Sequence, residues 1–326
     1  MYLRGWQLGW VTWMLGWWAT RGELATPPEK LPEASTELRM AAAWRLQPPI
    51  AAERFDASGL LRLPDGTLCT VNDKQAGVYR IEIPARGEVA KLTLWPGVFS
   101  AAALDQASGK KARAYDLEGL AQDSAGRLYV CDEFSRGVFR YDPQTEKTEG
   151  LIVDWSPVQR WFSRDRNAGW EGIAVGGDTL FLANERDTGR IVRVALASLS
   201  VTGSFSVSPP GRPARDIHYS DLCWFQQRLW VLCRESHCIL KVEPVKEKVE
   251  AAYDYGAIER DPRYGYLNPL PYGFVEGLVV AADGIWLVVD NNGVPRAADP
   301  RDSRSSLWRC ELPEAEQPIP ATVARP

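Results

Sequence analysis

Glu118-Gly119, Glu171-Gly172 and Glu276-Gly277 stand in matching contexts along a chain of 326 residues, each followed by Leu or Ile. Ser58-Gly59-Leu60 and Ser220-Asp221-Leu222 occupy the same context at two further places. Downstream of each comes a second polar pair: Asn72-Asp73, Asp132-Glu133, Asn184-Glu185, Arg234-Glu235 and Asp290-Asn291. Carboxylates and amides are the oxygen ligands of hard cations, and Ca²⁺ takes about 6–8 of them. With only His218 and His237 in the chain, a three-histidine zinc site is excluded. The donor set therefore points to Ca²⁺, with Mg²⁺ as the alternative, and to Glu118, Glu171, Glu276, Asp132, Glu185 and Asp290 as its ligands. Gathered without a cation, such acids would raise one another's pKa. A glutamate before glycine can equally bond backbone amides of its neighbour and serve as a brace.

Around these acids the chain offers groups for catalysis and for anions. Asp221 or Glu133 could orient an attacking water, and His218 could act as a base or donate to a phosphate, a role open to His237 also. Arg164 and Arg166, inside the run WSPVQRWFSRDRNAGW, and Arg234 carry guanidinium groups, which bind phosphate-like anions bidentately. The expected substrate is a small anionic molecule. No G-x-S-x-G, H-E-x-x-H or P-loop is present, so covalent serine chemistry and the common zinc and nucleotide motifs are disfavoured.

A repeat must bring these residues together. Residues 55–81 align without a gap over residues 115–141, at an offset of 60, with Gly59 on Gly119, Gly66 on Gly126, Asp73 on Glu133 and Arg80 on Arg140. Further copies run through 170–194, 219–242 and 275–293, the last resuming at 306–312 after an insertion. Each reads as three short strands with turn signals between them, and 89–95 and 148–155 supply a fourth; none has helical period. Four-stranded antiparallel units at this spacing predict an all-β fold, a single β-propeller of five blades, or six if one copy has diverged. The stretch 40–50, which is not a copy, is expected to close the ring as an N-terminal strand on the last blade. In a propeller the starts of first strands and the ends of second strands meet at one mouth of the central channel, which would gather both sets of acids.

Composition sets the outer limits. A net charge of −4 and a pI near 5.5 give no basic footprint for nucleic acid. Residues 1–25 read as a signal peptide, with Arg4 ahead of the tryptophan-rich run 5–19. Residues 26–36 read as a linker and 37–326 as the propeller domain, so a periplasmic or secreted location is expected. The run is shorter than the ~20 residues of a comfortable membrane helix, and no stable span is expected. Six cysteines lack C-x-x-C spacing, and Cys233 and Cys238 flank a turn that could set them on adjacent strands.

At DLEGLAQDSAGRLYVCDE, GWEGIAV with LANER, YSDLCWF with LWVLCRES, and VEGLVV with VVDNNG, the sequence resembles the propeller family named for the esterase-like activity of phytase, and the related SdiA-regulated proteins. The resemblance spans about residues 50–312. It implies a β-propeller, usually exported in bacteria, with calcium-dependent hydrolysis of phosphate or other esters. Glu118, Glu171, Asp221 and Glu276 fall on the first-strand motif positions, and Asp132, Glu133, Glu185, Glu235 and Asp290 on the second-strand ones. Ser58 departs from the pattern in the first blade. A non-catalytic propeller that binds a ligand or a protein partner is the alternative. A lactonase-type site of one Glu, two Asn and one Asp could draw on Asn72, Asn184 and Asp290, but three Glu-Gly starts are too many acids for it.

Overall fold

Hydrophobic alternation and turn glycines organise the chain into short strands, which a computed structural model describes for residues 35–50, 53–112, 114–162, 168–185, 189–211, 217–269 and 272–317. Two strands open it, β1 (Thr36–Glu37) and β2 (Met40–Gln47). Blade 1 contains β3 (Ala57–Arg62), β4 (Leu68–Asn72), β5 (Gln75–Glu82) and β6 (Val89–Trp95). Blade 2 contains β7 (Leu117–Gln122), β8 (Leu128–Asp132), β9 (Gly137–Asp142) and β10 (Lys147–Gly150). Blade 3 contains β11 (Trp170–Gly176), β12 (Thr179–Asn184), β13 (Arg190–Ala195) and β14 (Ser200–Phe205). Blade 4 contains β15 (Tyr219–Phe225), β16 (Arg228–Cys233), β17 (Cys238–Glu243) and β18 (Lys248–Asp254). Blade 5 is built from β19 (Val275–Ala281), β20 (Gly284–Val289) and β21 (Ser306–Cys310), with β2 as its fourth strand.

The five blades and their closure agree with the repeat. β2 pairs antiparallel with β21 and parallel with β6, so the N-terminal strand completes the last blade and joins it to the first. β1 adds a parallel pairing to β18, Thr36 facing Tyr253, so Thr36, expected in the linker, is already part of a sheet. The described residues group as one compact unit. The expected signal peptide lies outside the described residues. Among the described residues two short α-helices, α1 (Ala101–Ser108) and α2 (Gly256–Arg260), lie in connections between blades, outside the repeat copies. The first is a locally coded helix, with Ser100 Oγ accepting from the Ala103 amide at 3.3 Å and Gly109 left-handed at φ 69° behind it.

Five apolar clusters fill the five blade interfaces. Val71 and Val78 meet Leu120 and Val130; Tyr129 and Cys131 meet Ile173 and Leu182; Phe181 and Ala183 meet Val231 and Leu240. Trp230 and Leu232 meet Leu278 and Trp308, and Val279 and Trp286 meet Leu60 and Leu68. The facing sheets of neighbouring blades thus bury their apolar side chains against each other.

At the axis the first strands touch backbone to backbone. A Cβ on Gly59 would lie 2.1 Å from Glu118 O, one on Gly119 2.6 Å from Ile173 N, one on Gly172 2.7 Å from Asp221 Cα, and one on Gly277 2.8 Å from Gly59 C. In blade 4 the glycine slot holds Asp221, which is fully buried. Its carboxylate accepts from the amides of Leu278 at 2.8 Å, Leu222 at 2.8 Å and Leu60 at 3.4 Å, tying blade 4 to blades 5 and 1.

Gly172→Ala is therefore expected to force two backbones apart. Overpacking costs about 1–3 kcal/mol, towards the upper end where the added methyl meets backbone, a fall of ~4–6 °C in melting midpoint for a domain of this size. Gly177→Ala, left-handed at φ 58° with nothing within 4 Å, should cost only ~1 kcal/mol. Thermal melts of both check this, and a Gly172→Ala protein that melts within 2 °C or so of wild type would refute the close approach.

Candidate functional site

An irregularity interrupts the pairing at the start of each first strand, and in blades 2, 3 and 5 it turns a glutamate into the channel mouth. Pairing with the second strand skips Gly59, then Glu118 with Gly119, then Glu171, Ser220 and Glu276. A β-bulge of this kind leaves one residue unpaired and re-aims its side chain. Second-strand side chains satisfy the backbone groups so released: Thr70 Oγ1 donates towards Gly59 O at 2.9 Å, and Cys131 Sγ accepts from the Gly119 amide at 3.3 Å. The ends of the second strands are pinned alongside, the Asp73 amide donating to Asp56 O, that of Glu133 to Asp116 O and that of Glu185 to Gly169 O.

The result is a cavity of about 190 Å³ lined by Asp56, Ser58, Asp73, Lys74, Asp116, Glu118, Glu133, Glu171, Glu185, Arg234, Tyr272, Glu276, Asp290 and Asn292. Three carboxylate triads surround it: Asp56, Asp73 and Asp290; Asp73, Asp116 and Glu118; Glu133, Glu171 and Glu185. Within each triad one oxygen per residue lies within 4.8 Å of the others. Two oxygens at ~2.3–2.6 Å from one Ca²⁺ can stand no farther apart than about 5 Å, so each triad has the span of a hard-cation cradle. Buried Asp56 Oδ2, Asp73 Oδ1 and Glu276 Oε2 have no hydrogen-bond partner. Buried oxygens so placed are costly unless a ligand satisfies them. The residues present fit a divalent cation.

Burial raises these acids, and crowding raises them further. Burial and then Asp56 push Asp290 up to about 8, and burial and then Asp116 push Glu133 up to about 7. Burial lifts Asp73 to about 6 against the opposing pull of Lys74, and Glu276 to about 7 against Arg234. Glu118 and Glu171 are driven well above the usual carboxylate range by burial, then by Asp116 and Glu185 respectively. Two cations offset part of this: Lys74 Nζ bonds Asp73, and Arg234 donates to Glu276 and, at 3.1 Å, to Glu185.

Most of the expected residues come together. Glu118, Glu171, Glu185, Glu276, Asp290, Glu133 and Arg234 all line the cavity. Asp132 does not: its Oδ1 accepts from the Asp116 amide at 2.8 Å and its Oδ2 from the Ser135 amide at 2.9 Å, so it pins the loop that carries Glu133. Asp221, expected to orient a water, is held by three amides at the axis beneath the cavity. His218 stands behind the wall, Nδ1 3.1 Å from Glu235 and 3.8 Å from Glu185. Arg164 and Arg166 lie outside the described residues. Arg234, expected to bind the anionic substrate, is instead a counter-ion within the acids, stacked 5.5 Å from the Tyr272 ring.

Sequence reasoning passed over Asp56, Asp116 and Lys74. The first two had a signal: the ungapped alignment of the first two copies sets Asp56 on Asp116, each two residues before the Ser58 and Glu118 slot. Lys74 had none, since a lysine beside an aspartate is common on any surface.

A model of the family described as Phytase-like, esterase-like activity of phytase, matches residues 56–293. No curated protein matches the chain. Among solved structures, the glutaminyl cyclase of Myxococcus xanthus is similar at 14% identity and a TM-score of 0.55, covering 86% of this chain and 100% of that one. At that identity the likeness bears on the fold alone. The PQQ-bound aldose sugar dehydrogenase of Streptomyces coelicolor gives 13% identity and a TM-score of 0.41, over 86% of this chain and 99% of that one.

The raised acids fix a pH dependence for the protein held in a chelator. Between their ordinary values near ~4 and raised values of about 6 to 8, the unfolded chain has released protons that the folded chain still holds. Stability must therefore fall as pH rises through that window and level off above it. In EDTA the melting midpoint should drop by ~5 °C or more between pH 5 and pH 8. A midpoint that rises across this interval would mean the acids are ionised and internally compensated.

Proposed function

From the premise that this chain belongs to the phytase-like family, described by the esterase-like activity of phytase, we propose an exported propeller that hydrolyses a small anionic ester, of the phosphomonoester or phosphodiester type, with Ca²⁺ held at its acidic mouth. The observation that carries the reading is the set of convergent buried carboxylates, several of whose oxygens have no partner within the protein. Asp56, Asp73 and Asp290, with Asp116 and Glu118 through the shared Asp73, would hold the cation. Bound there, a divalent cation polarises the phosphoryl or acyl oxygen and lowers the pKa of water.

The chain's own groups supply the rest. Glu133 keeps a proton up to about pH 7, held there by burial and then by Asp116, so it can accept or return one at its carboxyl oxygen near neutrality, with Glu171 beside it in the same triad. Lys74 and Arg234 offset part of the carboxylate charge in the same cavity, and the attraction for an anionic ester would come from the bound cation. Arg4 followed by the apolar run 5–19 supports export and a periplasmic or secreted location. Mg²⁺ would fit the same oxygen set with fewer ligands.

A second reading has its own support. Ser58 Oγ donates to Glu118 across blades 1 and 2, and Arg234 joins blade 4 to Glu185 of blade 3 and Glu276 of blade 5. In a non-catalytic propeller that binds a ligand or protein partner, these acids would be braces.

Melts in EDTA and in millimolar Ca²⁺, with release of p-nitrophenol from its phosphate mono- and diesters and its acetate, separate the two. Saturation at ~1,000 times Kd adds about 4 kcal/mol, a shift of ~8 °C or more. Asp73→Asn should lose most of it, because Asp73 serves two triads. Glu171→Gln should lower turnover at least ~100-fold while its melting midpoint in EDTA stays level or rises, since a crowded buried acid has been neutralised. A Ca²⁺ shift without turnover on any ester would favour the binding propeller, and a Glu171→Gln chain that fails to fold would favour the brace.

A further inference from the structure

Cys233 ends β16, Cys238 begins β17, and the two are direct register partners across the hairpin. Facing residues of an antiparallel pair have Cα atoms about 4.5–5.5 Å apart, inside the ~4.4–6.8 Å that a disulfide spans. Their side chains leave the same face of the sheet, and both are buried in the interface of blades 3 and 4, with Val231, Leu240 and Ile217. Burial and then the adjacent Cys238 push the Cys233 thiol well up, which agrees with that proximity. None of the other four cysteines faces a cysteine: Cys69 pairs with Leu61 and Arg80, Cys131 with Val138, Cys223 with Trp230, and Cys310 with Met40 and Ile285.

The segment between the two cysteines belongs to the channel mouth. Its turn, Arg234–Ser236, ends on His237 at a left-handed φ of 50°. Arg234 reaches Glu276 and Glu185, Glu235 lies beside His218, and His237 Nδ1 is 2.6 Å from Glu259 Oε2. Two side chains paired to acids, Arg234 and His237, and one acid paired to a histidine, Glu235, thus hang from six residues whose two ends are cysteines.

We propose that Cys233 and Cys238 are a disulfide site, oxidised by a reagent of the disulfide class, and that the bond locks the turn presenting Arg234 to the acidic mouth. In the first step one cysteine thiolate attacks the oxidant's disulfide, forming a mixed disulfide and releasing one oxidant thiol. The second thiolate then attacks the mixed disulfide, forming the Cys233–Cys238 bond and releasing the other thiol. Two electrons pass to the oxidant, and the two cysteine protons end on its two thiols. The turn forms in the present structure with all six cysteines as thiols.

The test uses the full chain, once folded and once refolded, in oxidised glutathione or in dithiothreitol. After denaturation and alkylation, the oxidised sample should carry two fewer labels than the reduced one, and a non-reducing digest should join the peptides of Cys233 and Cys238. Closing so short a loop should raise the melting midpoint by ~3–5 °C, and dithiothreitol should reverse both changes. Cys233→Ser should abolish the shift, and if that variant does not fold, the wild-type peptide map decides. Six alkylatable cysteines after refolding in oxidant, a bond joining any other pair, or a linked protein that melts below the reduced one would each overturn the proposal. These readouts involve neither substrate nor metal, so they stand apart from the fate of the hydrolase reading.

Discussion

Everything at the channel mouth depends on how closely five first strands approach one another at the axis. Four of them meet through glycine, where even a methyl group would collide with the neighbouring backbone. The fifth substitutes Asp221, whose carboxylate spends itself on amides of blades 4, 5 and 1. This contact narrows the ring until the residue before each glycine has no room along its own sheet and turns into the mouth. A wider ring would leave Glu118, Glu171 and Glu276 too far apart to sense one another. The glutamate and the glycine of each pair are therefore two halves of one device: the glycine sets the distance and the glutamate uses it.

The electrostatic consequence is a site that the protein leaves only partly compensated. Lys74 and Arg234 neutralise two positions, and Ser58 donates to Glu118 from the slot where blades 2, 3 and 5 place a glutamate. The remaining carboxylates stay crowded, and several oxygens have no donor. Such an arrangement is unfavourable for the empty fold, since burying a charge without partners costs far more than a surface ion pair returns. Cation binding and proton uptake both relieve it, which is why the same residues are sensitive to pH and suited to a metal. Arg234 has the most constrained part in this balance, because its guanidinium is shared between two blades other than its own and is carried on the turn between Cys233 and Cys238.

Two kinds of residue that look alike in the repeat turn out to do different work. Asp132 and Glu133 are adjacent and both acidic, yet Asp132 folds back onto the amides of Asp116 and Ser135 while Glu133 enters the cavity. Asp221 shares the context of the glutamates but sits one residue later, in the glycine slot, and so lies beneath them. A one-residue step along a strand reverses the face that a side chain leaves from, and the bulge at each strand start decides which residue takes the step.

The sequence by itself determined the ring: copies at a fixed spacing, each with its alternating strands and turn signals, sufficed for five blades, for the closing strand 40–50 and for a mouth rich in acids around Glu118, Glu171 and Glu276. These features are local and repeat, so each copy confirms the others. Tertiary structure alone decided that Asp132 and Asp221 are braces, that Arg234 is a counter-ion within the acids, and that Lys74 lines the cavity, whereas Asp56 and Asp116 had left a mark at matching positions of the first two copies. The reason is that these roles depend on which amide or carboxylate stands opposite in the folded ring, as where Asp221 meets Leu278 and Leu60 and Arg234 meets Glu185 and Glu276, and such contacts leave no period in the chain.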